Sequence, residues 1–330
     1  MSVGTAGLFF SPTTGLITFS SARTSSSSGL TLRACYHDLM FTGLLLYFLL
    51  GPASNPEAWQ QSEAGEAAVF AFKSAPFPHE SRNEGFTARD GAHFPAEQHY
   101  ASRSVGLLIP KGFRDSSTIS FVVHFHGHRN SVGNVMTQFR LLDQLHKSGV
   151  NAVLVIPQGP LNAPDSGFGR IEEAEGLKDL LAEALERLRG EGKTQATEIE
   201  RVVLTAHSGG YRATAGCLAR GGLGHKIKDV ILFDATYGGL KEFAEFAAQP
   251  DTRLISIFTK HLASENFTLL SSLQGSGAPF SVFMEDQWSE QSLRRHHTVF
   301  IHTRKLTHDA VVSEQDYFSV FLKTSGLPQR

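Results

Sequence analysis

Six short apolar runs, at residues 120–125, 152–157, 201–205, 229–233, 253–258 and 298–302, punctuate the last two-thirds of this 330-residue chain. Between them lie segments that read as helices, at 132–147, 172–189, 210–220, 240–248 and, less sharply, 267–273, with a closing helix at 312–323. In 172–189 the apolar residues Leu177, Leu180, Leu181, Ala184, Leu185 and Leu188 follow a 3.6-residue period with charges opposite. Continuous apolar strands are buried on both faces, and strands joined by helical crossovers run parallel. The pattern therefore predicts an α/β protein with a mostly parallel central sheet and helices on both faces. Two further strand-like stretches, 67–72 and 100–110, precede it in turn-rich sequence.

The run at 201–205 feeds into Ala206-His207-Ser208-Gly209-Gly210 and then a small-residue helix. A serine at so sharp a strand-to-helix turn has a strained backbone and a raised hydroxyl, and the helix N-terminus beneath it offers N–H groups to a developing oxyanion. Side chains two positions to either side would collide in such a turn, and Ala206 and Gly210 stand there. Ser208 is thus a candidate nucleophile. Ser-Gly-Gly also occurs in ordinary turns, so the rest of the chain must decide.

Composition narrows the field. A net charge of -2 supplies no basic field for nucleic acid. Two cysteines, Cys35 and Cys217, make no disulfide framework, and Cys217 reads as a small core residue. The 25 phenylalanines call for a thick apolar core or an apolar cleft.

Over residues 66–325 the layout resembles the α/β-hydrolase superfamily in its serine esterase or lipase form. The resemblance implies an oxyanion loop after the 120–125 strand, where His126-Gly127-His128 stands, so that the N–H groups of His128 and Gly209 would form the oxyanion hole. It implies a general base after the last strand, the place of His308. His296 and His297 precede that strand, and His302 lies within it. It implies an acid after a later strand. Asp234 ends the 229–233 strand, a position that pancreatic-type lipases use, and Glu265, one strand later, is the alternative acid.

The implied chemistry is cleavage of a carboxylic ester or amide through Ser208, His308 and an acid, by way of an acyl-enzyme and with no cofactor. The implied substrate is a small-molecule or lipid-like acyl compound. A peptidase or amidase would use the same residues, and a non-catalytic binding protein on the same scaffold is a reading of a different class. Phe168, in the Gly/Pro-rich loop 157–170, with Tyr211 and Tyr237, are candidate cleft residues. His124, His126 and His128 alternate as strand-borne zinc ligands would, but the Gly127 turn breaks the alternation and no metal is expected. His207 reads as structural, pointing into the sheet.

The N-terminal region falls into three parts. Residues 1–38, rich in Ser, Thr and Gly, read as a disordered or over-extended leader, with translation starting near Met40 as one resolution. Residues 39–53 carry an uncharged apolar run shorter than the ~20 residues that span a bilayer, ending in Gly51-Pro52-Ala53. That suits a secretory signal, with cleavage near Ala53 or Ala58 and no stable membrane span afterwards; a membrane anchor at 39–50 is the alternative. Residues 54–65 read as a linker and 326–330 as a tail.

Overall fold

The strands β1 (Gln60–Ser62), β2 (Gly65–Ala71), β3 (Ser104–Pro110), β4 (Thr118–Phe125), β5 (Val153–Pro157), β6 (Glu198–His207), β7 (Ile227–Phe233), β8 (Arg253–Phe258), β9 (Ser281–Met284) and β10 (Thr298–His302) form one sheet in the order β1-β2-β3-β5-β4-β6-β7-β8-β10-β9. β1, β2 and β3 are antiparallel additions, and from β5 to β9 every neighbouring pair is parallel. The computed structural model describes residues 57–330. The leader at 1–38, the proposed signal or anchor at 39–53 and residues 54–56 of the linker lie outside the described residues. Among those described, no helix is long and apolar enough to cross a membrane.

Why the central strands are apolar at every position is visible in β4. Phe121, Val123 and Phe125 point into one core, and Val122, between them, into the other. The first core is roofed by α3 (Gly176–Gly190), α4 (Tyr211–Arg220), α5 (Leu240–Ala247) and α6 (Ala263–Ser276), through residues such as Leu181, Ala213, Phe243 and Leu269. The second is roofed by α1 (Val132–Gln138), α2 (Leu141–Ser148), α7 (Glu290–Arg295) and α8 (Tyr317–Lys323), through Val135, Leu145, Leu293 and Phe321. Burying both faces of such strands is the largest favourable term available to a chain of this composition. This is the α/β-hydrolase fold.

Several boundaries differ from those expected. The helix expected over 132–147 is two helices, because Arg140 adopts a left-handed conformation (φ 48°) and turns the chain between α1 and α2. The closing helix is broken likewise, where Gln315 and Asp316 (φ 54° each) separate Ala310–Ser313 from α8. The linker and tail assignments also need correction. β1 lies within 54–65 and pairs with β2, while Leu327 is buried and the Arg330 N–H donates to the Gly149 carbonyl. Residues 60–65 and 326–330 are therefore part of the domain.

Candidate active site

Parallel register brings the ends of β6 and β7 level, since His207 pairs with Phe233; the next residues, Ser208 and Asp234, leave the sheet side by side. Each has a positive φ, 53° and 48°, which costs a non-glycine residue about 1–3 kcal/mol and persists only where the surroundings impose it. At Ser208 the imposition is close packing. A Cβ on Gly210 would lie 2.2 Å from the Phe125 carbonyl oxygen, and one on Gly127 would lie 2.7 Å from the Ser208 Cβ. Gly at both places is what lets the β4 loop and the serine turn meet. Ala206 is buried and its methyl is tolerated, which explains why the small residue before the serine need not be Gly.

His308 comes from the loop after β10. Its Nδ1–H donates to Oδ2 of Asp234 at 2.7 Å. Asp234 is fully buried, and its carboxylate also accepts the Thr259 N–H at 2.8 Å and the Thr259 hydroxyl at 2.9 Å. Burial alone would raise the Asp234 pKa, but the hydrogen bonds from His308 and Thr259 outweigh it and hold the carboxyl below its ordinary value. The carboxylate is therefore ionised and fixes the proton of His308 on Nδ1, leaving Nε2 as the basic nitrogen. Glu265, the other acid considered, sits in the first turn of α6 with a buried Oε2 that has no hydrogen-bond partner, and it makes no bond to His308.

The loop that carries His308 is pinned from two sides. The Thr303 N–H donates to Phe258 O, and Thr303 Oγ1 accepts the Leu306 N–H. On the other side, His207 Nε2–H donates to the His308 carbonyl at 3.0 Å, and the two imidazoles lie 4.7 Å apart. Burial, first, and the neighbouring His308 push the His207 pKa down to about 4 against the hydrogen bond to the His308 backbone, so His207 is a neutral strut. Its partner is the main chain of the His308 loop.

The β4 loop lies over the same turn. The His128 ring covers Gly209, whose added Cβ would be 2.5 Å from His128 Cδ2, and His128 Nε2 is 2.8 Å from Ser166 Oγ. The N–H of Gly209, in the first turn of a helix, has no intrahelical acceptor.

The three alternating histidines have separate partners. His124 bonds Thr205, His126 accepts the Gly159 N–H on Nε2, and His128 meets Ser166, so their ring nitrogens do not converge on one ion. Two other groups bring ligand atoms within 4.8 Å of one another, Asp234 with His261 and His308, and His207 with His308 and Asp309. In each, nitrogens are engaged in hydrogen bonds to protein acceptors.

Of the cleft candidates, Tyr237 and Tyr211 lie by the site, their rings 6.1 Å apart, and Tyr237 is 43% exposed. Phe168 needs correction. It is 1% exposed and packs on Phe125 at 5.5 Å and beneath Gly159, so it is core and not cleft wall. Sequence reasoning passed over Thr259 and His261, the latter with Nδ1 2.7 Å from Thr259 Oγ1 and Nε2 2.6 Å from Tyr237 Oη. A polar cluster directly after the apolar 253–258 run was the available signal.

The sequence matches no protein-family model and no curated protein. Solved structures that it is similar to include a fluorophosphonate-binding serine hydrolase F of Staphylococcus aureus, with 10% identity, a TM-score of 0.46 and coverage of 82% of this chain and 99% of that one. Another is the feruloyl esterase module from Clostridium thermocellum, with 10% identity, a TM-score of 0.49 and coverage of 83% and 92%. A third is an S-formylglutathione hydrolase from Agrobacterium tumefaciens, with 11% identity, a TM-score of 0.48 and coverage of 81% and 97%.

Proposed function

We propose that this protein is a serine hydrolase that cleaves carboxylic esters through Ser208, His308 and Asp234. What carries the reading is the buried Asp234 carboxylate accepting the Nδ1–H of His308 at 2.7 Å, on the strand end beside the one that presents Ser208. Nε2 of His308 takes the Ser208 proton as Oγ attacks the carbonyl carbon, and Asp234 stabilises the imidazolium that forms. The N–H groups of His128 and Gly209 receive the oxyanion, at ~3 kcal/mol for each well-placed donor. The C–O bond then breaks, the alkoxide leaves with the proton from His308, and water, activated by the same imidazole, hydrolyses the acyl-enzyme. No cofactor enters any step.

The test is the pre-steady state. With a nitrophenyl ester, the parent is expected to release a burst of nitrophenol stoichiometric with enzyme, and Ser208→Ala and His308→Ala none. Equal rates in all three would contradict the reading.

A further inference from the structure

Beside the Asp234–His308 pair runs a second chain of polar groups that hydrolysis as described does not use. It links Tyr237 Oη to His261 Nε2 at 2.6 Å, His261 Nδ1 to Thr259 Oγ1 at 2.7 Å, and Thr259 Oγ1 to Asp234 Oδ2 at 2.9 Å. The direction of every proton in it can be read from the end that is fixed.

An ionised carboxylate only accepts, so the single hydroxyl proton of Thr259 points at Asp234. Thr259 Oγ1 then has only lone pairs for His261, and Nδ1 of His261 must carry the proton that bridges them. The Asp234 Oδ2 atom, 3.5 Å from the same Nδ1, favours a proton there too. In the neutral imidazole, Nε2 is left with its lone pair, so the Tyr237 hydroxyl donates to it. A phenol has one proton. With that proton turned toward His261, the Tyr237 oxygen offers only lone pairs to its surroundings.

Those surroundings are the cleft. Tyr237 is 43% exposed, and its ring stands edge-on to His308 at 6.3 Å. We infer that Tyr237 is a specificity-determining residue whose oxygen accepts a hydrogen bond from substrate, selecting esters that carry a hydroxyl or amide N–H close to the scissile carbonyl. This rests on the hydrolase reading and sharpens its substrate class. Burial, first, and the charge of Asp234 push the Tyr237 phenol up to about 12 against a hydrogen bond with the Ser208 hydroxyl, so the phenol keeps the single proton it turns toward His261.

Two measurements test it. The first is the protonation of His261 by long-range proton–nitrogen NMR on histidine-labelled protein at pH 8.5, assigned with His261→Phe. The expected tautomer has Nδ1 protonated; a parent with Nε2 protonated would overturn the inference whatever the activity. The second is the kcat/KM ratio between matched esters, a hydroxyl-bearing one and its O-methyl counterpart, with the hydroxyl placed on the acyl side in one pair and on the alcohol side in another. The parent is expected to favour the hydroxyl ester about fivefold to tenfold in at least one pair, the worth of one hydrogen bond. Tyr237→Phe brings that ratio to about one, and His261→Phe, which frees the Tyr237 proton to point into the cleft, turns the preference toward the O-methyl ester. A parent that hydrolyses both members of both pairs equally sinks the inference alone. A parent that hydrolyses none of them sinks the hydrolase reading and this inference together.

Discussion

The imidazole of His207 donates from Nε2 to the main-chain carbonyl of His308 at 3.0 Å, so the residue before the candidate nucleophile holds the loop that carries the candidate base. Its other nitrogen, Nδ1, is buried without a partner. One hydrogen bond thus couples the positions of two groups that come from β6 and from the loop after β10. Replacing His207 by Phe removes that bond and is expected to lower kcat about 10- to 100-fold, because small displacements of a catalytic group are costly, while KM changes little. His207→Gln, which keeps a donor, should recover part of the loss. Equal kcat in parent and His207→Phe would show that the strut is idle.

Acid should unfold this protein through its buried histidines. Burial, first, pushes both His126 and His207 down to about 4, and His124 is also pushed well below the ordinary value by burial and by its neighbours His207 and His126. In the unfolded chain these rings titrate near ~6.5. Below that pH the unfolded state binds more protons than the native state, so stability falls as pH drops from ~6.5 toward 4 and is complete above ~6.5. For His126 and His207 the loss is up to about 3 kcal/mol each. Urea midpoints measured between pH 7.5 and 4.5 should decline, and the decline should be shallower in His207→Gln. A midpoint independent of pH over that range would refute the assignment of neutral buried imidazoles.

The two acids considered from the sequence separate cleanly by substitution. Asp234→Asn keeps the shape of the side chain but no longer fixes the Nδ1–H tautomer of His308, and kcat is expected to fall about 10⁴-fold. Glu265→Gln, which leaves the His308–Asp234 hydrogen bond intact, should stay within about threefold of the parent. The reverse order of effects in an ester assay would move the acid to Glu265.

Close approach at Gly127 gives a prediction on geometry alone. A methyl there would sit 2.7 Å from the Ser208 Cβ, so Gly127→Ala must shift either the β4 loop or the serine turn. Turnover should drop at least about 100-fold, with a circular dichroism spectrum like that of the parent. Parent-like turnover would mean that the two loops do not meet as described.

Metal ions should be dispensable and, when added, inhibitory. Asp234, His261 and His308 bring ligand atoms within 4.8 Å of one another, close enough for zinc to compete with their hydrogen bonds. Ester hydrolysis is expected to survive dialysis against a chelator, to fall on addition of zinc, and to return with the chelator. Loss of activity on chelation would instead identify a metal-dependent reaction.

Much of this was legible because burial on both faces leaves a strong trace. The central strands were readable as runs such as Val153 to Ile156, where every side chain is fully buried. Ser208 stands out as a candidate because the turn excludes bulk at positions 206 and 210, whereas His308 and Asp234 are singled out by the resemblance, which asks for a base and an acid after particular strands. The strand β9 was not readable, since it lies at the sheet edge with Val282 49% exposed and has no apolar period. Nor were the breaks at Arg140 and Gln315, where residues with side chains take the left-handed conformation that glycine would have announced. A Gly/Pro-rich loop suggests an exposed rim for Phe168, whereas this one folds the aromatic ring inward under Gly159. The partnership of His261 and Thr259 with Tyr237 and Asp234 leaves no trace in the sequence, because it spans two strand ends that only the register of β7 and β8 brings level.

The most direct measurement is covalent labelling with a fluorophosphonate, followed by mass mapping of the modified residue. Activated serine chemistry predicts one adduct, on Ser208, in the parent and in Glu265→Gln, and none in Ser208→Ala or His308→Ala. A folded parent that takes no label, or an adduct at any other residue, would contradict the account.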